Sequence, residues 1–294
     1  MFMKIAIVID SSANLNKREA EELGWNLLPL YINIDGKDYA DGVDFNALDF
    51  FDIYNKESVV KTSASNLNEA TKLLTKLSAE FDKVVVYPIS MHLSSQYANL
   101  KVLSHDFNNV YVVPSENICE YITIDILEFL DKKITTNEQF EDEFSKLGKF
   151  KQDQVVLLIP KTTDFLLKGG RLKPAANTLA KIFRIVPIIE FRDGKLLKYG
   201  KGHKFVKTVS NLINDAIECS NKNQHLKLAF LEARCSDLKA FLDILKTEKA
   251  ELKYLYHIPP VVAIHTGPES ISIMNMNAQD KHLELLANLR KKSL

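Results

Sequence analysis

Short apolar runs that end in small polar residues alternate with helix-period segments through the first half of this chain, and that alternation restricts the fold more than any other feature. Lys4 to Asp10 reads as a buried strand, Asn16 to Leu23 as a helix and Leu27 to Ile34 as a second strand. From Asn66 to Ala79 the apolar positions Leu67, Ala70, Leu74 and Leu77 recur at three- and four-residue spacing, with Asn66 and Glu69 placed as a helix cap and its box partner. Strand Val84 to Ile89, helix Gln96 to Phe107, strand Val110 to Val113 and helix Asn117 to Leu130 continue the pattern. Strands that alternate with helices predict a parallel sheet covered on both faces.

The pattern changes after a polar, weakly helical connector at 135–154. Gln154 to Pro160 reads as a strand, a short helix starts at Thr163, and Pro174 to Phe183 reads as a helix with proline near its first turn. Arg184 to Phe191 and Lys195 to Tyr199 flank Asp193-Gly194, a hairpin signal. A helix is expected over Phe205 to Cys219, a strand over Leu226 to Ala233 and a helix over Ser236 to Lys246. Val261 to His265 and Ser270 to Met276 look like a closing pair of strands, followed by a peripheral surface helix over His282 to Lys292. The expected architecture is therefore α/β in two domains: a parallel α/β/α domain over 1–152 and an α+β domain with a mixed sheet over 153–294.

Ligand crevices of open parallel sheets lie beyond the carboxyl ends of the strands. Small polar residues stand there repeatedly: Asp10-Ser11-Ser12, Thr62-Ser63 before the Asn66 helix, Ser90, His92, Ser94 and Ser95 with Gln96, and Ser115. Taken singly, each is an ordinary cap or turn residue. As a set, hydroxyls and helix N-termini form a neutral, hydrogen-bonding anion site able to hold a carboxylate. His265, with Thr266 and a Gly-Pro turn behind it, is placed to face a pocket. Gly169-Gly170 stops the Thr163 helix and leaves Arg171 on a loop.

Other chemistries fit poorly. Lys and Arg number 38 and so do Asp and Glu, so the whole-chain field gives no ground for nucleic-acid binding. Neither GxGxxG nor GxxxxGK[ST] occurs, which counts against a nucleotide-phosphate cradle. No His or Cys pair has zinc spacing, so no metal or other cofactor is expected. Three widely spaced cysteines read as reduced cytoplasmic thiols. No apolar run approaches the ~20 residues of a spanning helix. A serine hydrolase built from Ser94, His265 and Asp10 is conceivable, although GxSxG is absent.

Several of these stretches, in order, resemble the DegV family of bacterial fatty-acid-binding proteins. They are Asp10-Ser11-Ser12, "LPLYINIDGKDYADGVD" at 28–44, Lys61-Thr62-Ser63-Ala64-Ser65, "ISMHLSSQY", "LLKGGRL", "IVPIIEFRDGKL" and "AIHTGP". The resemblance runs over roughly residues 4 to 275. It implies a two-domain protein with one long-chain fatty acid buried between the domains. It implies no catalysis by the chain itself: a separate ATP-dependent fatty acid kinase phosphorylates the carboxylate while the binding protein holds the lipid, a step in phospholipid metabolism. Carried onto this chain, Thr62, Ser63, Ser94 and His265 would hold the carboxylate, with Ser11, Ser12, Ser95, Gln96 and Thr266 as further pocket candidates and Arg171 on the kinase-docking surface. A carrier of a different apolar acid stays open beside this reading, as does the hydrolase. The chain departs from the family pattern at Ser95-Gln96, where Gly-Thr is usual, at Pro114-Ser115-Glu116, at His203 and at Glu269. Gln96 is long enough to reshape the tunnel mouth, and Glu269 would repel a lipid carboxylate unless it points away or pairs with a cation.

Overall fold

The computed structural model describes residues 2–45, 47, 49–54, 57–171 and 185–293, so the helix expected over Pro174 to Phe183 lies outside the described residues. The chain divides into two compact units, Met1–Phe150 with Pro259–Val261, and Lys151–Ile258 with Val262–Leu294.

The first unit contains β1 (Ile5–Ile9), α1 (Lys17–Glu22), β2 (Asn26–Leu27), β3 (Tyr31–Ile34), β4 (Lys37–Ala40), α2 (Phe50–Ile53), β5 (Val60–Ser63), α3 (Leu67–Glu80), β6 (Lys83–Tyr87), α4 (Gln96–Leu103), β7 (Val110–Val112), α5 (Glu120–Leu130) and α6 (Asn137–Lys146). Strands β2-β1-β6-β7 form a parallel sheet. Strand residues alternate between its faces. Ala6, Val8, Val84, Val86 and Val112 pack against Ala70, Leu74 and Leu77 of α3 and Leu100 of α4. On the opposite face Tyr87 donates its hydroxyl to Asp125 of α5 at 2.7 Å. Both faces carry helices, as the unbroken apolar runs require.

The strand expected from Leu27 to Ile34 is two strands in two sheets. Pro29 lacks the N–H a continuous strand needs; β2 ends before it, and β3 starts a separate antiparallel sheet of order β4-β3-β5. Asn66 caps α3 by accepting from the N–H groups of Asn68 and Glu69. The expected box partner does not return the bond, because Glu69 accepts from the Tyr31 hydroxyl at 3.0 Å instead.

The stretch read as a connector contains α6, capped by Thr136, which accepts from Gln139 N–H. Its polar residues masked one deeply buried anchor. Phe140 is fully buried, with ring centroids 4.7 Å from Tyr111, 5.7 Å from Phe144 and 6.1 Å from Phe129.

The second unit contains β8 (Val155–Ile159), α7 (Asp164–Gly169), β9 (Val186–Arg192), β10 (Lys195–Gly202), α8 (Phe205–Lys222), β11 (Leu226–Glu232), α9 (Leu238–Thr247), β12 (Tyr254–His257), most of α10 (Pro260–Thr266), β13 (Ile271–Asn277) and α11 (Asp280–Ser293). Its sheet runs β10-β9-β8-β13-β11-β12, antiparallel except for the β11–β12 pair. Leu157, Ile159, Ile188, Phe230 and Ile273 line one face and pack with Val209 and Ile213 of α8 and Phe241 of α9. Asp193 (φ 49°) and Gly194 (φ 73°) make the expected hairpin turn.

Two expectations fail in this unit. Val261 to His265 is helical, not a strand. Its β-branched start reads as strand, but Pro260 sits in the first turn, where its fixed φ suits a helix. The C-terminal helix is not peripheral, since Leu283, Leu286 and Leu289 are buried. No helix among the described residues is long and apolar enough to cross a membrane.

Phe140→Ala removes a fully buried ring from a well-packed aromatic group. The expected loss is about 3–5 kcal/mol of unfolding free energy in urea titrations; a loss below 1 kcal/mol would return α6 to the role of a connector.

Candidate functional site

In the first unit the loops at the carboxyl ends of β1 and β6 are joined by one buried carboxylate. Asp10, 2% exposed, accepts from Ser12 N–H at 3.0 Å and from the Ser12 hydroxyl with one oxygen, and from Ile89 N–H at 2.8 Å with the other. Ser11 accepts from Leu30 N–H at 3.2 Å. Ser11 and Ser12 are thus buried and engaged with neighbouring protein groups. A second carboxylate stands beside them. Asp41, 1% exposed, accepts from Val261 N–H at 3.2 Å and bonds the Ser11 hydroxyl, while its Oδ1 has no partner among the described residues.

Burial raises both acids, because a charged carboxylate loses its hydration there. Asp10 is pushed up to about 6, against the opposing bonds from Ser12 and Ile89. Asp41 is pushed up to about 7; Ser11 and Val261 oppose the rise and the charge of Asp10 adds to it.

Thr62 and Ser63 are consecutive on β5, so their side chains point to opposite faces. Thr62 lies across from buried Ile32 and is half-buried, whereas Ser63 lies across from Tyr31 and is exposed. After β6, Ser94 is half-buried and its Oγ accepts from Gln96 N–H at 3.2 Å, which leaves the hydroxyl proton to donate elsewhere. Ser95 caps α4 by position, makes no side-chain cap bond and is exposed, as is His92. Gln96 is buried, and its side-chain amide is taken up by Ser65.

In the second unit the Gly-Gly-Arg and His-Thr-Gly stretches meet. A Cβ on Gly169 would lie 2.3 Å from His265 Nδ1, and one on Gly267 (φ +82°) would lie 2.3 Å from a Phe165 ring carbon. Glycine is required at both places for α7 and the end of α10 to approach this closely. Arg171 folds back and donates to the Gly169 carbonyl at 2.6 Å, so it is half-buried, not fully exposed on its loop. Burial, reinforced by the Arg171 charge, holds the His265 imidazole down at about 3. His265 is therefore neutral at physiological pH, able to donate from one ring nitrogen and accept at the other. Thr266 is buried, with its hydroxyl 3.0 Å from that of Ser270.

A family model described as an uncharacterised protein of the DegV family matches residues 4–277. The chain belongs to the DegV family. A DegV domain-containing protein of Mycoplasmopsis pulmonis is 40% identical over 272 residues, which is 92% of this chain and 94% of that one. Among solved structures, a fatty-acid-binding DegV family protein from Thermus thermophilus shares the fold at TM-score 0.78 and 21% identity, over 92% of this chain and 99% of that one. DegV of Bacillus subtilis, described as a fatty acid binding protein, shares it at TM-score 0.77 and 20% identity, over 92% and 98% of the two chains. A stearic-acid-binding protein from Eubacterium ventriosum follows at TM-score 0.75 and 22% identity, over 93% and 97%.

One departure from the DegV pattern, Glu269, has a local explanation. Glu269 accepts from Lys161 Nζ at 3.0 Å and from Ser236 N–H and Oγ at 2.9 and 2.7 Å. Burial works to raise its pKa, but these bonds outweigh burial and hold it below the usual range. Its charge is thus paired with a cation. His203 is exposed. Asp41 and Ser65 lie inside stretches that carry the family resemblance, without a local signal for their buried bonds. One feature escaped the sequence reading altogether. Glu232, buried at the end of β11, accepts from Cys235 N–H at 2.7 Å and meets the His257 ring; an acid closing the apolar run "LKLAFLE" was its only signal.

Both raised acids keep protons in the folded state that the unfolded chain releases above about pH 4. Their contribution to stability is full at low pH and is lost as pH rises through about 6 and 7. Asp41→Asn removes one of these costs, so the variant should gain melting temperature relative to the parent as pH rises from about 4 to about 7, with no further gain above that. A difference in melting temperature that does not change with pH would show that Asp41 is ionised throughout.

Proposed function

We propose that this chain is a non-catalytic carrier that holds a long-chain fatty acid and presents its carboxylate to a separate fatty acid kinase. The observation that carries the reading is the Ser94 hydroxyl: its oxygen accepts from Gln96 N–H, which leaves its proton able to donate to a ligand at the carboxyl end of β6. DegV relatives described as fatty-acid-binding share this fold, which supports the ligand class. Half-buried Thr62 and neutral His265 are the further groups proposed to hold the head group. Ser63 is proposed through its backbone, since its side chain lies on the opposite face from that of Thr62.

The energetics suit a carrier. Burial of an acyl chain contributes about 0.8 kcal/mol per methylene, so a long chain supplies on the order of 10 kcal/mol before ordering costs. The head group then needs only modest, reversible bonds and stays reactive. In the proposed transfer a carboxylate oxygen attacks the terminal phosphorus of ATP, the bond to ADP breaks, and an acyl phosphate forms. With ATP as co-substrate, the proposed reaction is a cytoplasmic one. Arg171 belongs to the proposed kinase-docking surface. The hydrolase reading has less support, because Asp10, its third member, is 2% exposed and bonded to Ser12 and Ile89.

Extraction and mass spectrometry of the purified protein should return a stoichiometric fatty acid. Ser94→Ala should weaken fatty-acid binding about tenfold while leaving the fold intact, as expected for one lost bond to a charged acceptor. Unchanged affinity together with unchanged acyl-phosphate formation would remove Ser94 from the head-group site. Arg171→Ala should retain the lipid and lose acyl-phosphate formation by a fatty acid kinase with ATP; phosphorylation at the parent rate would exclude Arg171 from docking.

A further inference from the structure

Gln96 occupies an unusual place between two of the loops that carry candidate head-group ligands. It is 1% exposed. Its side-chain oxygen accepts from Ser65 N–H at 3.0 Å, and its side-chain nitrogen donates to Ser65 Oγ at 2.6 Å. Its backbone N–H donates to Ser94 Oγ at 3.2 Å. One residue therefore engages Ser65, which follows Thr62 and Ser63 on the β5 exit, and Ser94 on the β6 exit. Ser65, itself 5% exposed, passes the connection on by donating to the Leu28 carbonyl at 3.2 Å, at the exit of β2.

A side-chain amide that satisfies both an N–H and a hydroxyl of the same partner allows little freedom of rotation. Because the pair is buried, water does not compete for these bonds, and breaking one leaves unsatisfied polar groups inside the protein. Two hydroxyl-bearing loops held in this way have their separation set before any ligand arrives. Pre-set geometry favours a ligand that must touch both loops at once, and leaves unaffected a ligand bound by its apolar part.

We infer that Gln96 is a positioning residue: its reciprocal bond with Ser65 sets the spacing between the Thr62 and Ser94 loops and so makes the site selective for a carboxylate head over a neutral one. This rests on the carrier reading proposed above. It assigns Gln96 a role in holding the loops, not in lining or narrowing a tunnel mouth.

The test compares palmitate with 1-hexadecanol, which share the sixteen-carbon chain and differ in the head. Both are titrated into the full chain, parent and Gln96→Met. Methionine keeps the length and buried volume of glutamine and removes both side-chain bonds. Palmitate affinity should fall about tenfold and hexadecanol affinity by less than about twofold, so that the ratio between them collapses. An unchanged ratio, or an equal loss for both ligands, overturns the inference and leaves the carrier reading standing. A parent protein that takes up neither ligand overturns the carrier reading itself. Should Gln96→Met fail to fold, Ser65→Ala carries the test, since it removes the hydroxyl half of the clamp; it should show the same selective loss of palmitate, and an unchanged ratio there counts against the inference equally.

Discussion

The carboxylate of Asp10 holds together the end of the first sheet where the candidate ligands lie. Strands β1 and β6 are neighbours, but their exits would diverge into separate loops if nothing joined them. Asp10 joins them by giving one oxygen to Ser12 and the other to Ile89. The turn after β1 and the start of the loop carrying Ser90 and Ser94 are thereby fixed to one buried group. Ser11, in the same turn, accepts from Leu30 N–H and reaches the exit of β2. Such an anchor is costly, because a buried carboxylate loses hydration that only strong hydrogen bonds offset. The cost is visible in its raised pKa, and again in that of Asp41 beside it.

Around this anchor the small polar residues divide into two kinds. Ser11, Ser12, Ser65 and Gln96 are buried and engaged with neighbouring protein groups. Ser94 and Thr62 are half-buried and lie outside that inner layer. The division follows from satisfaction of buried polar groups: a hydroxyl deep in the loops must find a protein partner, whereas one nearer the surface can also bond water. In the second unit close packing adds to hydrogen bonding, since Gly169 and Gly267 let two helical segments approach until His265 and Phe165 fill the space a methyl group would need.

Much of the architecture was legible in local sequence signals. The run Ile5–Ile9 ending in Asp10, the apolar stripe of Leu67–Glu80 and the Asp193-Gly194 turn each carry a short-range pattern, and each formed the expected element. Where expectations failed, a neighbouring proline or a long-range contact had overruled the local pattern. The β-branched residues of 261–265 became helix behind Pro260. The polar stretch around Phe140 became a packed helix because one ring finds Tyr111 and Phe129 far away in the chain. The C-terminal tail joined a core through Leu283, Leu286 and Leu289.

The sequence by itself determined the class of fold, the hydroxyl-rich strand exits and the family motifs, because these follow from periodicity and from residue types within a few positions of one another. Only the tertiary structure decided which polar groups bond one another inside the loops. That choice depends on partners remote in sequence, such as Gln96 for Ser65, Val261 for Asp41 and Ile89 for Asp10. It also decided that His265 stands neutral beside Arg171, since the charge of an imidazole is set by burial and by its neighbours in space, and neither can be read from the order of residues along the chain.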